Sequence, residues 1–422
     1  MTYQLTEGVN LHVLPTKQFK TIRIFVRFTT ALEKEIVTKR SLLSSLLETN
    51  SLNYPDQTRL SAKLADLYGA GFGFSVRKKG NLHWMNAGIS FVNGAYVNDD
   101  TILTDAVSFL KEVLFFPNIK EQAFDQATFD LEKNNLKQYL ESLNEDKQTM
   151  ASLALQELYF EQSDAQKIPS MGSVEELEKI TSGSLAAYYA QMIEEDQVDI
   201  FVVGDIEETL AIDALKELPF TARKVVRPEI FYEQTQANVI KERQIQEPVV
   251  QAKLNLAYQT NVYYDQPERF SLMVFNGLFG GFPHSKLFMN VREKESLAYY
   301  ASSNVDTFRG LLTVQTGIET KNRNQVLHLI HEQLASLRNG EITELELDQT
   351  KAMLRNHYLL SLDSPQAAIE SAYLAHWLPD TELTDEEWLA RMERVTIKDI
   401  QEVANQIELQ AIFFLAGGEE NA

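Results

Sequence analysis

The segment Asn118-Ile-Lys-Glu-Gln-Ala-Phe-Asp125-Gln126-Ala-Thr-Phe-Asp-Leu-Glu-Lys-Asn134 aligns with Gly340-Glu-Ile-Thr-Glu-Leu-Glu-Leu-Asp348-Gln349-Thr-Lys-Ala-Met-Leu-Arg-Asn356. Both run on into long helical patterns that end near Phe160 and Leu378. Two copies about 220 residues apart are too widely spaced to be solenoid units. They point to a duplicated domain.

The flanks repeat as well. The first half opens with Leu11-His-Val-Leu-Pro15 and Thr21-Ile-Arg-Ile-Phe-Val-Arg-Phe28, the second with Ala252-Lys-Leu-Asn-Leu-Ala-Tyr258. Alternating apolar and polar residues rich in β-branched types read as half-buried strands. A helix follows in each half, over Arg40–Glu48 and Arg269–Leu278. Later come two short helices with plausible caps, Ser173-Val-Glu-Glu176 and Thr396-Ile-Lys-Asp399, each a polar residue followed three positions on by an acid. Each half closes on an apolar strand, Asp199–Asp205 and Ala411–Gly417. This order predicts an α+β fold of two homologous domains, each a mixed, mostly antiparallel sheet packed against helices. The domains are expected over 1–222 and 248–422. The charged stretch 223–247, with Pro228 inside it and Pro248 beyond, is expected to link them.

Composition narrows the function. A chain of 422 residues is too long for one ordinary core. It has no cysteine, which excludes a disulfide scaffold, a cysteine nucleophile and cysteine-based zinc sites. Sixty acidic residues against 39 basic give a net charge of −21, which disfavours nucleic acid as a partner. An acidic surface either keeps the chain soluble or draws in basic peptides. The start, Met1-Thr-Tyr-Gln-Leu-Thr-Glu-Gly8, has neither a basic region nor an apolar run, so no secretion signal is expected. No apolar stretch is long enough for a membrane span, and the expected address is the cytoplasm. No phosphate loop, nucleotide fingerprint or nucleophile–base constellation stands out.

Two further stretches carry a resemblance. One is Arg292-Glu-Lys-Glu-Ser-Leu-Ala-Tyr299, preceded by Gly280-Gly-Phe-Pro-His-Ser-Lys-Leu-Phe288; the other is Ser45-Leu-Leu-Glu48-Thr49, followed by Tyr68-Gly-Ala-Gly-Phe72. Together they resemble the insulinase-like (pitrilysin, M16) metallopeptidases, over essentially the whole chain. The resemblance implies two similar domains facing one another like a clamshell, with a peptide held between them. It also implies a zinc motif, His-x-x-Glu-His, on a helix of the first domain, and a substrate-binding Arg/Tyr pair in the second.

The zinc motif is broken here. Residues at i and i+4 share one helix face, so two histidines there can ligate one Zn²⁺ while the intervening Glu acts on its water. Ser45 and Thr49 stand in the two ligand places, and neither hydroxyl ligates Zn²⁺ competently at neutral pH. Glu48 remains at the place of the general base. Against the family pattern, the third ligand falls at Tyr139. Seven histidines occur, at 12, 83, 284, 328, 331, 357 and 376. Only His328 and His331 are close, on an amphipathic pattern that reads as an ordinary helix.

The clamp is kept. Arg292 offers a planar fork of donors for a peptide carbonyl or carboxylate. Tyr299 offers a hydroxyl to a developing oxyanion. Gly280 and Gly281 precede them in what reads as a loop bordering the peptide path. The alternating segment Gly71–Arg77 reads as the edge strand on which the family pairs its peptide. The resulting expectation is a non-catalytic subunit of a heterodimeric zinc peptidase. It would have no activity of its own and no cofactor of its own, with zinc on a His-x-x-Glu-His partner and Arg292 and Tyr299 lent in trans. The alternative is an inert peptide-binding or scaffold protein of the same fold.

Overall fold

The β-branched and aromatic runs of the first half form a six-stranded sheet in the computed structural model, which describes residues 2–418. The strands are β1 (Thr2–Thr6), β2 (Val9–Pro15), β3 (Thr21–Ala31), β4 (Gly71–Lys79), β5 (Leu82–Val92) and, beyond a small ribbon of β6 (Ile119–Lys120) and β7 (Ala123–Phe124), β8 (Gln197–Gly204). Their order is β1-β2-β8-β3-β5-β4. β2 and β8 run parallel and every other pair antiparallel. All eight residues of β8 are buried, which is why that strand reads as a continuous apolar run rather than an alternating one.

The second half builds β9 (Lys241–Glu247), β10 (Ala252–Gln259), β11 (Ala298–Asp306), β12 (Leu311–Ile318) and β13 (Glu408–Gly417), in the order β11-β12-β10-β13-β9. Only β9 and β13 are parallel. Strand for strand, this repeats β4-β5-β3-β8-β2. The duplication read from the sequence is therefore present in the sheet topology. β9 lies inside the stretch read as a linker, yet it is the counterpart of β2. It is an edge strand whose residues are alternately exposed and half-buried. Charged, polar side chains are what such an edge carries, so it looks like a linker in sequence.

Contacts divide the chain into two compact units that are not the two sequence halves. The first holds the residues up to Ser142 with Ile168–Glu229 and Leu362–Tyr373; the second holds Leu143–Lys167, Ile230–Ser361 and the chain from Leu374 onward. Each half thus contributes one segment to the other unit. The long helical pattern of the first half breaks into helices Gln126–Ser142 and Lys147–Tyr159. Asp146 caps the second of these, accepting from the Gln148 amide at 3.0 Å. Ala151, Leu155, Leu158 and Tyr159 then share a core with Ala257, Leu311, Ala411, Phe413 and Leu415 of the second sheet.

In return, helix Pro365–Trp377 brings Glu370 and Tyr373 to the first sheet. Arg27 of β3 is fully buried there. Its guanidinium lies 3.9 Å from the Trp84 ring centre and 4.5 Å from that of Tyr373. It donates to Asn86 Oδ1 at 2.9 Å and pairs with the Glu370 carboxylate. Burial raises the pKa of Glu370, but the Arg27 charge and hydrogen bonds outweigh it and hold the group below the ordinary carboxylate value. Losing one member of such a pair strands the other, at a cost of about 3 kcal/mol.

Candidate functional site

Helix Lys34–Thr49 carries Ser45, Glu48 and Thr49, the residues read as a broken motif. Ser45 donates to the Ser41 carbonyl at 3.4 Å, and Thr49 to the Ser45 carbonyl at 2.8 Å. Both hydroxyls are thus turned back on their own helix. The same Thr49 hydroxyl lies 3.0 Å from Glu132 Oε1, so its one proton is shared between the carbonyl and the carboxylate. Glu132, on helix Gln126–Ser142, is the carboxylate that reaches this corner. Tyr139, read as standing in the third ligand place, is two turns further along that helix and half-exposed. The sequence reading did not single out Glu132. Its position one helical face from Thr49 appears once the two helices are packed. Two alcohols and one carboxylate are not a donor set for Zn²⁺. Among the described residues no three His, Cys, Asp or Glu side chains come together in a way that would hold a metal ion.

Glu48 faces another way. Its Oε2 accepts the Phe74 amide of β4 at 3.0 Å. β4 is the last strand of its sheet, so Gly71–Arg77 does form an edge, with Glu48 bonded to it.

Of the residues read as a clamp, Arg292 precedes β11 and Tyr299 lies at its start. Arg292 sits in a π-helical segment, Leu287–Lys294, a geometry that recurs at functional positions. Its guanidinium stacks over Phe288 at 4.5 Å, and its nearest acid is the adjacent Glu293 at 3.6 Å. The side chain is 40% exposed. Ser296 then takes a left-handed φ of 52°, uncommon for a residue with a Cβ, and turns the chain into the strand. Ala298 faces Ile318 and Tyr300 faces Gly317, so Tyr299 between them is a β-bulge. A bulge re-aims a side chain, and the Tyr299 ring is 59% exposed. Tyr300 goes the other way. It bonds to Gln148, and burial, with Asp146 nearby, pushes its pKa up to about 12.

Gly280 and Gly281 are not in a loop. They end a π-helical turn, Gly277–Gly281, that continues helix Arg269–Asn276. A Cβ on Gly280 would lie 2.6 Å from the Ser303 amide nitrogen and 2.7 Å from its hydroxyl. Gly280 therefore lets this helix close on β11. Of the histidine pair, His328 is exposed beside Glu332 at 3.1 Å, and burial, with His328 and Arg338 nearby, lowers the pKa of His331.

The duplicated α+β topology, with one sheet order repeated strand for strand in the second half, defines the fold class. A peptidase M16 inactive domain of solved structure from Pseudomonas fluorescens superposes with a TM-score of 0.79 over 99% of this chain and 98% of that one, at 18% identity, which shows the shared fold. A conserved protein of solved structure from Enterococcus faecalis V583 is 59% identical, with a TM-score of 0.97 over 100% of this chain and 99% of that one. The Peptidase M16 inactive domain profile matches residues 179–354. A Bacillus subtilis (strain 168) protein named "Probable inactive metalloprotease YmfF" is 34% identical over 98% of this chain and 96% of its own length. The chain belongs to the M16 peptidase family.

Proposed function

We propose that this chain is the non-catalytic subunit of a two-chain zinc peptidase. It lends Arg292 and Tyr299 to a peptide whose bond is cut at the zinc of a His-x-x-Glu-His homologue. One observation carries the reading. Arg292 and Tyr299 are both presented to solvent, on a π-helical segment and a bulge, while the motif corner is tied up in its own hydrogen bonds. A chain with no further dealings with peptides would gain nothing from an exposed Tyr on a bulged strand.

The roles follow from the groups. The guanidinium would grip the peptide backbone with paired donors. The phenol would donate to the carbonyl oxygen as negative charge builds on it. Zinc on the partner would polarise that carbonyl and supply the attacking water. The cytoplasm is the proposed location of the pair. No helix among the described residues is long and apolar enough to cross a membrane.

The test is cleavage of a mixed peptide library with Zn²⁺ by this chain alone, by the motif-bearing homologue alone, and by the two co-purified. Cutting by the pair only, lost in Arg292→Ala while the pair stays assembled, supports the reading. Equal cutting by the homologue without this chain leaves it a binding or scaffold protein.

A further inference from the structure

The first sheet ends at β4. A terminal strand turns every second amide outward, where another extended chain can take it. Phe74 faces Ala87 across the β4–β5 ladder, and its amide points away from β5. That amide donates to Glu48 Oε2 at 3.0 Å. The carboxylate also lies along Gly73, where a Cβ would stand 3.6 Å from Oε1 and 3.9 Å from Oε2.

The helix end bearing Glu48 is held in place. The Thr49 hydroxyl lies 3.0 Å from Glu132 Oε1, and Asn50 Nδ2 donates to Thr128 Oγ1 at 2.9 Å. Thr128 is itself bonded to Asp125 at 2.9 Å. Helix Gln126–Ser142 thus steadies the turn from which the carboxylate reaches the strand.

We infer that Glu48 is an edge lock. An extended chain can add to β4 at Phe74 only by displacing the carboxylate. A carboxylate is a stronger acceptor for an amide than the neutral carbonyl an incoming strand would bring. The residue left over from a general base therefore keeps this chain's own first-unit edge from being extended, whether by a peptide or by a second copy. The inference does not rest on the pairing proposed above, since it concerns the single chain.

The experiment uses the full-length protein with Glu48→Ala and Glu48→Gln. Amide exchange is followed at Phe74 by NMR, and binding of a fluorescein-labelled (Thr-Val)₄ peptide by anisotropy. With the lock removed in Glu48→Ala, Phe74 exchanges about tenfold faster and the peptide binds about tenfold tighter, the worth of one charge-assisted hydrogen bond. Glu48→Gln, which keeps a neutral acceptor, falls between. Wild-type exchange at Phe74 in a folded Glu48→Ala protein overturns the inference, as does equal peptide binding by the two. Should Glu48→Ala fail to fold, the same comparisons with Glu48→Gln decide it. No partner and no cleavage enter, so failure of the clamp reading would leave these results standing.

Discussion

The guanidinium of Arg292 sits over the ring of Phe288, 4.5 Å from its centre. The ring contact steadies the guanidinium while the side chain stays 40% exposed, an arrangement suited to the backbone-gripping role proposed above. An exposed contact of this kind is worth about 0.5–1 kcal/mol. Phe288→Ala should therefore slow peptide turnover by the assembled pair about two- to fivefold. Arg292→Ala should abolish it, and Arg292→Lys should restore little, because an ammonium has no planar fork. Tyr299→Phe should cost about a hundredfold in kcat. Steady-state kinetics on the co-purified pair check all four.

Glu132 beside Thr49 offers a carboxylate from which a metal site could be built at this corner. Ser45→His with Thr49→His would place two imidazoles on one helix face with a carboxylate opposite. The double variant should bind one Zn²⁺ in isothermal titration calorimetry, while the wild type shows no specific site. Adding Glu132→Gln should weaken binding about 10- to 100-fold. Adding Tyr139→Phe should leave it unchanged, and the reverse pattern would return the third ligand place to Tyr139.

His83 is buried on β5. Burial, then the Arg40 and Lys78 charges, hold its pKa well below the ordinary imidazole value, with the Ser170 backbone opposing. The folded protein therefore binds fewer protons here than the unfolded chain. The stability contribution is complete above about pH 6.5 and drains away as pH falls below it, at a limiting slope of about 1.4 kcal/mol per pH unit. His83→Leu should flatten the dependence of Tm on pH between about 6.5 and 5. The shallower His284 and His331, whose pKa values are also lowered, should leave a residual slope.

The two glycines of the π-helical turn should differ in tolerance. Gly280→Ala drives a methyl into the Ser303 backbone and should lower stability by about 1–3 kcal/mol. At Gly281 a Cβ would meet the Asn276 side-chain amide and backbone carbonyl oxygen at 3.0 Å, looser than the 2.6 Å approach to the Ser303 backbone at Gly280, so Gly281→Ala should cost less. Urea unfolding of the two variants checks the order.

Much of this was legible in sequence. The duplicated order of elements and the caps at Ser173 and Thr396 rest on local patterns that the structure keeps. Ser173 and Thr396 both accept from the amide three residues on. What was not legible depends on packing. β9 was hidden because edge strands are polar. The break at Leu143–Asp146 was hidden because helical periodicity runs through it. Glu132 was passed over because a residue's distance from Thr49 across two helices is not written in its spacing along the chain. Gly280 and Gly281 read as a loop because a double glycine in sequence does not reveal a helix pressed against a strand.

The exchanged helices also bear on how the molecule is made. Arg27 and Glu370 are 343 residues apart along the chain. A ribosome that has finished the first sheet has not yet made the helix that neutralises the arginine at its centre. The first unit must wait, incompletely covered, until nearly the whole polypeptide has emerged, and a cut between the halves would leave each fragment holding a helix that belongs to the other. Neither half is a self-sufficient gene product, although the sequence repeats as though each were.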